Sequence, residues 1–195
     1  KRKQFYLWRR GFADSYLLTV PCWHEVSWGN HALAIYSALL AICGIYIAAL
    51  AKGKPFRGAV DIGLGTEIDA EEVYGPVNVQ VVELEKTAGY PRIVAGEGLP
   101  AHLKSLASRC PDSAEGRHTR KAVDDSLALI TTDHTGRMIL DPLGEGVRSV
   151  EGSVSREIVI AAYDFILTTH EKTSAFGPAK LAAYYSDLRK YLESR

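Results

Sequence analysis

Residues 32–50, ALAIYSALLAICGIYIAAL, run for 19 residues without a charge. Such a run has few physical solutions. It is a helix covered by protein on all sides, a helix whose outer face meets a second copy of the chain, or a membrane span, which needs about 20 apolar residues. Ala is abundant in it, and Tyr36, Ser37, Gly44 and Tyr46 dilute its hydrophobicity. The segments on either side read as strands of one sheet, which would have to lie on the same side of any membrane. The buried helix is therefore the favoured reading, with the dimer face and the membrane segment as alternatives.

The remaining composition is that of a globular chain. At 195 residues, 47% apolar and 24% charged, it can bury a sizeable core. Lys and Arg balance Asp and Glu at 23 each. That removes any general attraction to nucleic acid or to an anionic membrane surface. The basic opening, KRKQ with Arg9 and Arg10, reads as a solvated end. Cys22, Cys43 and Cys110 are far apart and odd in number. Without CxxC or Cys/His spacing they suggest neither a zinc site nor a disulfide framework, and the setting reads as reducing and cytoplasmic. The chain opens without Met, which reads as a fragment or a lost N-terminal segment.

Strands are expected at 5–8 and 14–20, paired as a hairpin through a five-residue loop at 9–13. A loop at 21–30 carries Trp23, His24 and Trp28, and no partner is evident that would orient His24 for catalysis. Asn30 is expected to cap the long helix, and Lys52, Gly53, Lys54 and Pro55 to end it. A strand at 56–64 leads to an acidic turn with Glu67, Asp69, Glu71 and Glu72. Gly75-Pro76 opens a helix with Val77, Val81, Leu84 and Ala88 on its apolar face, ended by Gly89. Residues 91–95 form a strand and 99–107 a short helix. Residues 110–121 read as an exposed loop. Strands at 127–131 and 138–140 flank the turn DHTG, 142–153 is a Gly-rich loop, and 155–170 and 178–193 are helices. The alternation through residue 95 argues a mixed sheet with helices on it. There is no GxSxG, GxxxxGK or HExxH motif. Asp61 alternates with Val60 and Ile62 and reads as a solvent-facing strand charge. Asp133, His134 and Asp141 read as turn chemistry.

Residues 57–85 resemble the catalytic domain of class III nucleotide cyclases. That family has a strand Arg-x-Gly-Ile-x-x-Gly, a turn, then Gly-x-x-x-Asn-x-x-x-Arg-x-Glu at the head of a helix. Arg57, Ala59, Val60 and Gly63 fit the strand, and Gly75 and Glu85 fit the ends of the helix motif. Phe12-Ala13-Asp14-Ser15 looks like the hairpin bearing the family's second metal-binding Asp. A bacterial cyclase-like group is more similar still. It shares Tyr74-Gly75-Pro76, Leu84-Glu85, Tyr90-Pro91-Arg92-Ile93-Val94, the hairpin at 133–143 and the helix motif at 180–185.

The resemblance implies an α/β (α+β), ferredoxin-like cyclase-homology sheet with helices packed on it. Residues 1–108 would form that domain, and 109–195 a C-terminal hairpin and helical extension. It implies a homodimer and, in an active member, a nucleoside triphosphate with Mg²⁺ or Mn²⁺. Asp14 is the implied metal ligand. Glu72 stands where the family reads the base. Arg92 is a candidate phosphate contact, although a structural ion pair with Glu83 or Glu85 is the favoured role.

The departures weigh against catalysis. The family's ribose-orienting Asn falls on Val79. Its charge-stabilising Arg falls on Glu83, an anion that would repel a triphosphate. Asn78 lies about 100° away around the helix. The first metal-binding Asp would precede this chain's first residue, so two carboxylates are not in hand. No catalytic residue is assigned. The expectation is a degenerate cyclase-like domain in regulation or assembly, and the competing one is a divergent metal-dependent cyclase.

Overall fold

The computed structural model describes the backbone at residues 8–12, 15–19, 28–69, 72–150 and 154–195, and side chains at 31–66, 74–150 and 154–195. The chain is mixed α/β. A hairpin, β1 (Trp8–Phe12) and β2 (Ser15–Thr19), precedes the long helix α1 (Trp28–Ala51). Then follow β3 (Gly58–Val60), the hairpin β4 (Thr66–Asp69) and β5 (Glu72–Tyr74), α2 (Pro76–Lys86) and β6 (Ile93–Ala95). The second half holds α3 (Gly98–Arg109), α4 (Ala114–Leu127), β7 (Ile130–Thr132), β8 (Met138–Leu140), α5 (Glu145–Arg148), α6 (Arg156–Phe176) and α7 (Ala179–Glu193).

Helix α1 is the centre of the core. Ala32, Ile35, Leu39, Cys43, Tyr46, Ile47 and Leu50 recur every three or four residues and are buried, on the face that packs against α4 and α6. Leu33, Ser37, Ala41, Ile45 and Ala48 lie on the other face and are exposed. The helix is thus two-sided, although neither side carries a charge. By length and composition it remains long and apolar enough to cross a membrane.

Its start differs from expectation. The helix already runs at Trp28, so Asn30 lies inside it and is not its cap. Its end is as expected. Gly53 takes φ 68°. Gly53 N donates to Leu50 O at 2.9 Å and Lys54 N to Ala49 O at 2.9 Å, which is a Schellman stop.

The main sheet has the order β3-β6-β8-β7. Only β3 and β6 are parallel, with α2 crossing between them, and β8 and β7 extend the sheet in antiparallel fashion. The first hairpin is a separate two-stranded sheet, as is β4-β5. The strands on either side of α1 therefore belong to different sheets, contrary to expectation, and sheet pairing does not hold the two ends of the helix together. The register brings Phe12 opposite Ser15, so residues 9–12 are strand and not loop. The expected acidic turn is likewise a hairpin.

The expected loop at 110–121 is mostly helix. Ser113 caps α4 by accepting from Gly116 N at 3.2 Å. The buried face of α4 is Gly116, Thr119, Ala122, Val123 and Ser126. These side chains are small, so the helix carries little hydrophobicity yet packs closely on α1. The sheet takes two strands from each side of residues 108–109, and the apolar core runs from Ala32 to Leu192 without a break at that point.

Candidate functional site

Gly63, Gly75, Gly96 and Gly98 gather at one end of the parallel pair. Asp61 follows β3, Gly96 follows β6, and the two strands run in the same direction. In open α/β sheets this carboxyl end of the strands is where ligands bind. A Cβ on Gly96 would collide with the Asp61 carboxylate, and one on Gly98 would stand 2.7 Å from Oδ1. The carboxylate therefore lies in a groove left by two glycines, at the start of α3. An anion is favoured there by the helix dipole. Asp61 Oδ1 also accepts from Ile62 N at 2.8 Å. The expected solvent-facing charge is thus a half-buried, positioned carboxylate. The spacing Gly-x-Gly at the head of a helix was the signal for it.

Gly75 and Gly63 shape the neighbouring loop. A Cβ on Gly75 would collide with Leu64 O and reach 2.7 Å from Gly65 Cα, and one on Gly63 would reach 2.9 Å from Val77 Cβ. The loop after β3 is thus pressed onto the first turn of α2. Pro76 occupies the first helical position, where no backbone donor is required.

Helix α2 lies half-covered on the sheet with no buried residue. Val79 is 65% exposed. Glu83 is exposed and accepts from Lys86 Nζ at 2.6 Å. Arg57, just before β3, pairs with Glu85 at 3.2 Å, at the opposite end of the strand from Asp61. The carboxyl end thus offers a carboxylate and backbone groups. It can accept hydrogen bonds from hydroxyl or amino groups. It places no described cation where phosphoryl charge would need one.

Arg92 belongs to a different cluster. It is 5% exposed. Its partner is Asp133, and not Glu83 or Glu85: Nη1 donates to Asp133 Oδ2, and also to Thr135 Oγ1 at 3.0 Å. Tyr90 Oη donates to the same carboxylate at 2.9 Å. Thr135 N and Oγ1 donate to Asp133 Oδ1 at 2.8 and 2.7 Å. The guanidinium stacks over the Tyr90 ring at 4.4 Å. Burial lowers the pKa of Arg92 and pushes that of Tyr90 up to about 12. A phosphate reaching Arg92 would have to dismantle this network. Asp133 performs the expected turn chemistry and is also a buried counter-ion, a role that sequence reading missed.

A second buried carboxylate, Asp141, accepts from Tyr191 Oη at 2.6 Å. Arg195 Nε stands 3.2 Å from it as an ion pair without an aligned hydrogen bond. Burial first, and Asp141 second, push the Tyr191 hydroxyl well up and the Cys43 thiol up to about 12.

Asp14 lies outside the described residues, and the side chain of Glu72 does too. Of the expected ligand contacts, Arg92 alone is placed, and it stands within a structural network. Among the described residues no group of three His, Cys, Asp or Glu is placed to hold a metal ion. Comparison with protein-family models, curated proteins and solved structures finds no match for this chain.

Proposed function

We propose that this chain is a degenerate cyclase-homology domain that binds or assembles without catalysing cyclisation. The observation that carries the reading is on α2. Where a cyclase would present an amide and a guanidinium, this helix presents exposed Val79 and a Glu83 paired with Lys86. Arg57 and Arg92 are each engaged by a carboxylate. The ferredoxin-like part of the reading rests on the β3-α2-β6 unit with β8 antiparallel beside it. The separate β1-β2 hairpin is where the described fold parts from that frame.

The domain works as a homodimer in the cytoplasm, with the uncharged outer face of α1 as the contact. Leu33 and Ile45 are 53% and 54% exposed there. Packing of α1 against α4 and α6 supports a core helix over a membrane span. The test pairs two measurements on the full chain. Incubation with ATP or GTP and Mn²⁺ is expected to yield no cyclic nucleotide. Product that disappears in Asp14→Ala would establish the divergent cyclase instead. Sedimentation equilibrium is expected to show a dimer that Ile45→Arg dissociates, and a parent chain that stays monomeric would remove the assembly role.

A further inference from the structure

Strand β7 is the outermost strand at one side of the main sheet. Just before it, Leu129 O accepts from Asp141 N at 2.8 Å, and just after it Asp133 N donates to Arg137 O at 2.9 Å. With Thr131 opposite Ile139, the hydrogen-bonded pairs of this antiparallel ladder fall on Leu129, Thr131 and Asp133. Ile130 and Thr132 therefore turn their N–H and C=O groups away from the sheet. Among the described residues nothing bonds to those groups. A row of this kind is a template for a further strand. A groove of about 370 Å³ borders the same strand, between it and the last turns of α7. Thr131, Thr132, Lys190, Ser194 and Arg195 are among its lining residues. Lys190 and Arg195 bring cations to it, and the one carboxylate among the described lining residues, Asp133, is buried against Arg92. Asp187, 3.0 Å from Lys190 and 3.3 Å from His134, is not among them.

We propose that β7 takes up an extended acidic segment of another protein as an added strand. Main-chain groups of the segment pair with those of Ile130 and Thr132, and its alternate side chains project over the groove. An Asp or Glu among them meets Lys190, whose side chain is 56% exposed. At ~30 Å³ per non-hydrogen atom, the share of a water molecule in the liquid, the groove has room for about a dozen such atoms. That is one or two acidic side chains. The three-residue length of β7 makes this a weak, short-lived contact. The site is separate from the β3-β6 end and does not depend on the function proposed above.

The test titrates the isotope-labelled full chain with the capped peptide Ac-TVEVT-amide, followed by amide chemical shifts and amide hydrogen exchange. Shifts are expected at Ile130, Thr131, Thr132 and the end of α7, with slower exchange of the Ile130 and Thr132 amides. Ac-TVKVT-amide should bind about fivefold more weakly, the scale of one exposed ion pair. The Glu peptide N-methylated at its three central residues should not bind. Thr132→Pro should also abolish binding. It removes an outward donor that the sheet does not use, and Pro is tolerated on an edge strand. The peptide comparisons need no variant. Equal binding of the Glu and Lys peptides, undiminished binding to Thr132→Pro, shifts centred elsewhere or an absence of shifts would overturn the proposal. So would slow exchange of the Ile130 and Thr132 amides without peptide, which would show the edge covered by another part of the chain or by a second copy.

Discussion

Arg92 and Asp133, 41 residues apart in sequence, meet in an ion pair with side chains 6% and 1% exposed. They close the seam between the start of β6 and the β7-β8 turn. Removing one member of a buried pair strands the other charge and costs about 3–5 kcal/mol, whereas replacing both by apolar groups is far milder. Asp133→Ala should therefore destabilise the chain strongly in urea titrations. Arg92→Met with Asp133→Leu should lose less than Asp133→Ala alone. A double variant as unstable as the single one would show that the turn bonds to Thr135 and Arg137, and not the ion pair, dominate.

Cys43 should be inert in the folded chain. Its thiol is buried and pushed up to about 12, and the thiolate is the reactive form. Cys110 is only half-buried, with its Sγ 3.2 Å from Leu106 O. In a Cys22→Ser background at pH 8, a maleimide should label Cys110 first, and Cys43 only on unfolding, as peptide mass spectrometry would read. Labelling of both at one rate would contradict the packing of α1.

Stability should fall on the alkaline side. Burial raises the folded-state pKa of Cys43 and also those of Tyr46 and Tyr191. The folded chain therefore holds these protons more tightly than the unfolded chain does. Their contribution is complete below the unfolded values, about 8.5 for Cys and 10 for Tyr, and is lost as pH rises beyond them. On the acid side, burial and Arg109 lower the pKa of His102, so its contribution is lost as pH falls below about 6.5. Urea midpoints should be nearly level from pH 7 to 8.5 and decline above. A midpoint that holds to pH 11 would refute this.

Three glycines should answer differently to Ala. At Gly75 the new Cβ collides with Leu64 O in an extended backbone, and overpacking costs about 1–3 kcal/mol. At Gly136 the space is open but φ is 78°, which costs about 1–2 kcal/mol for an L residue. At Gly44, mid-helix with nothing within 4 Å, Ala should stabilise by about 0.5–1 kcal/mol. Thermal or urea unfolding of the three variants gives the order directly.

What was legible in the sequence was local. Pro76 at the head of α2, Gly53 at the end of α1 and the strand in PRIVA each depend on a few adjacent residues. What was hidden depended on partners. Helix α4 escaped because its buried face is built of Gly, Ala, Ser, Thr and Val, whose fit against α1 no periodicity of large residues reveals. The acidic stretch before Gly75 looked like a turn because strand pairing was judged by its charges. Arg92 was matched to nearby glutamates because Asp133 is brought to it only by the sheet register of β6, β8 and β7. At the candidate site, the Gly-x-Gly groove that holds Asp61 was written in the sequence, but the meeting of β3 with β6 was not.

The central position of α1 bears on how the chain is made. The helix ends at Ala51, while α6, one of its two main covers, is complete only at Phe176. At the ~5–20 residues per second of ribosomal synthesis, the most apolar segment waits on the order of ten seconds for that cover. During that interval it is indistinguishable by composition from a nascent membrane anchor. The factors that sort emerging chains at the ribosome would meet it before its own fold does.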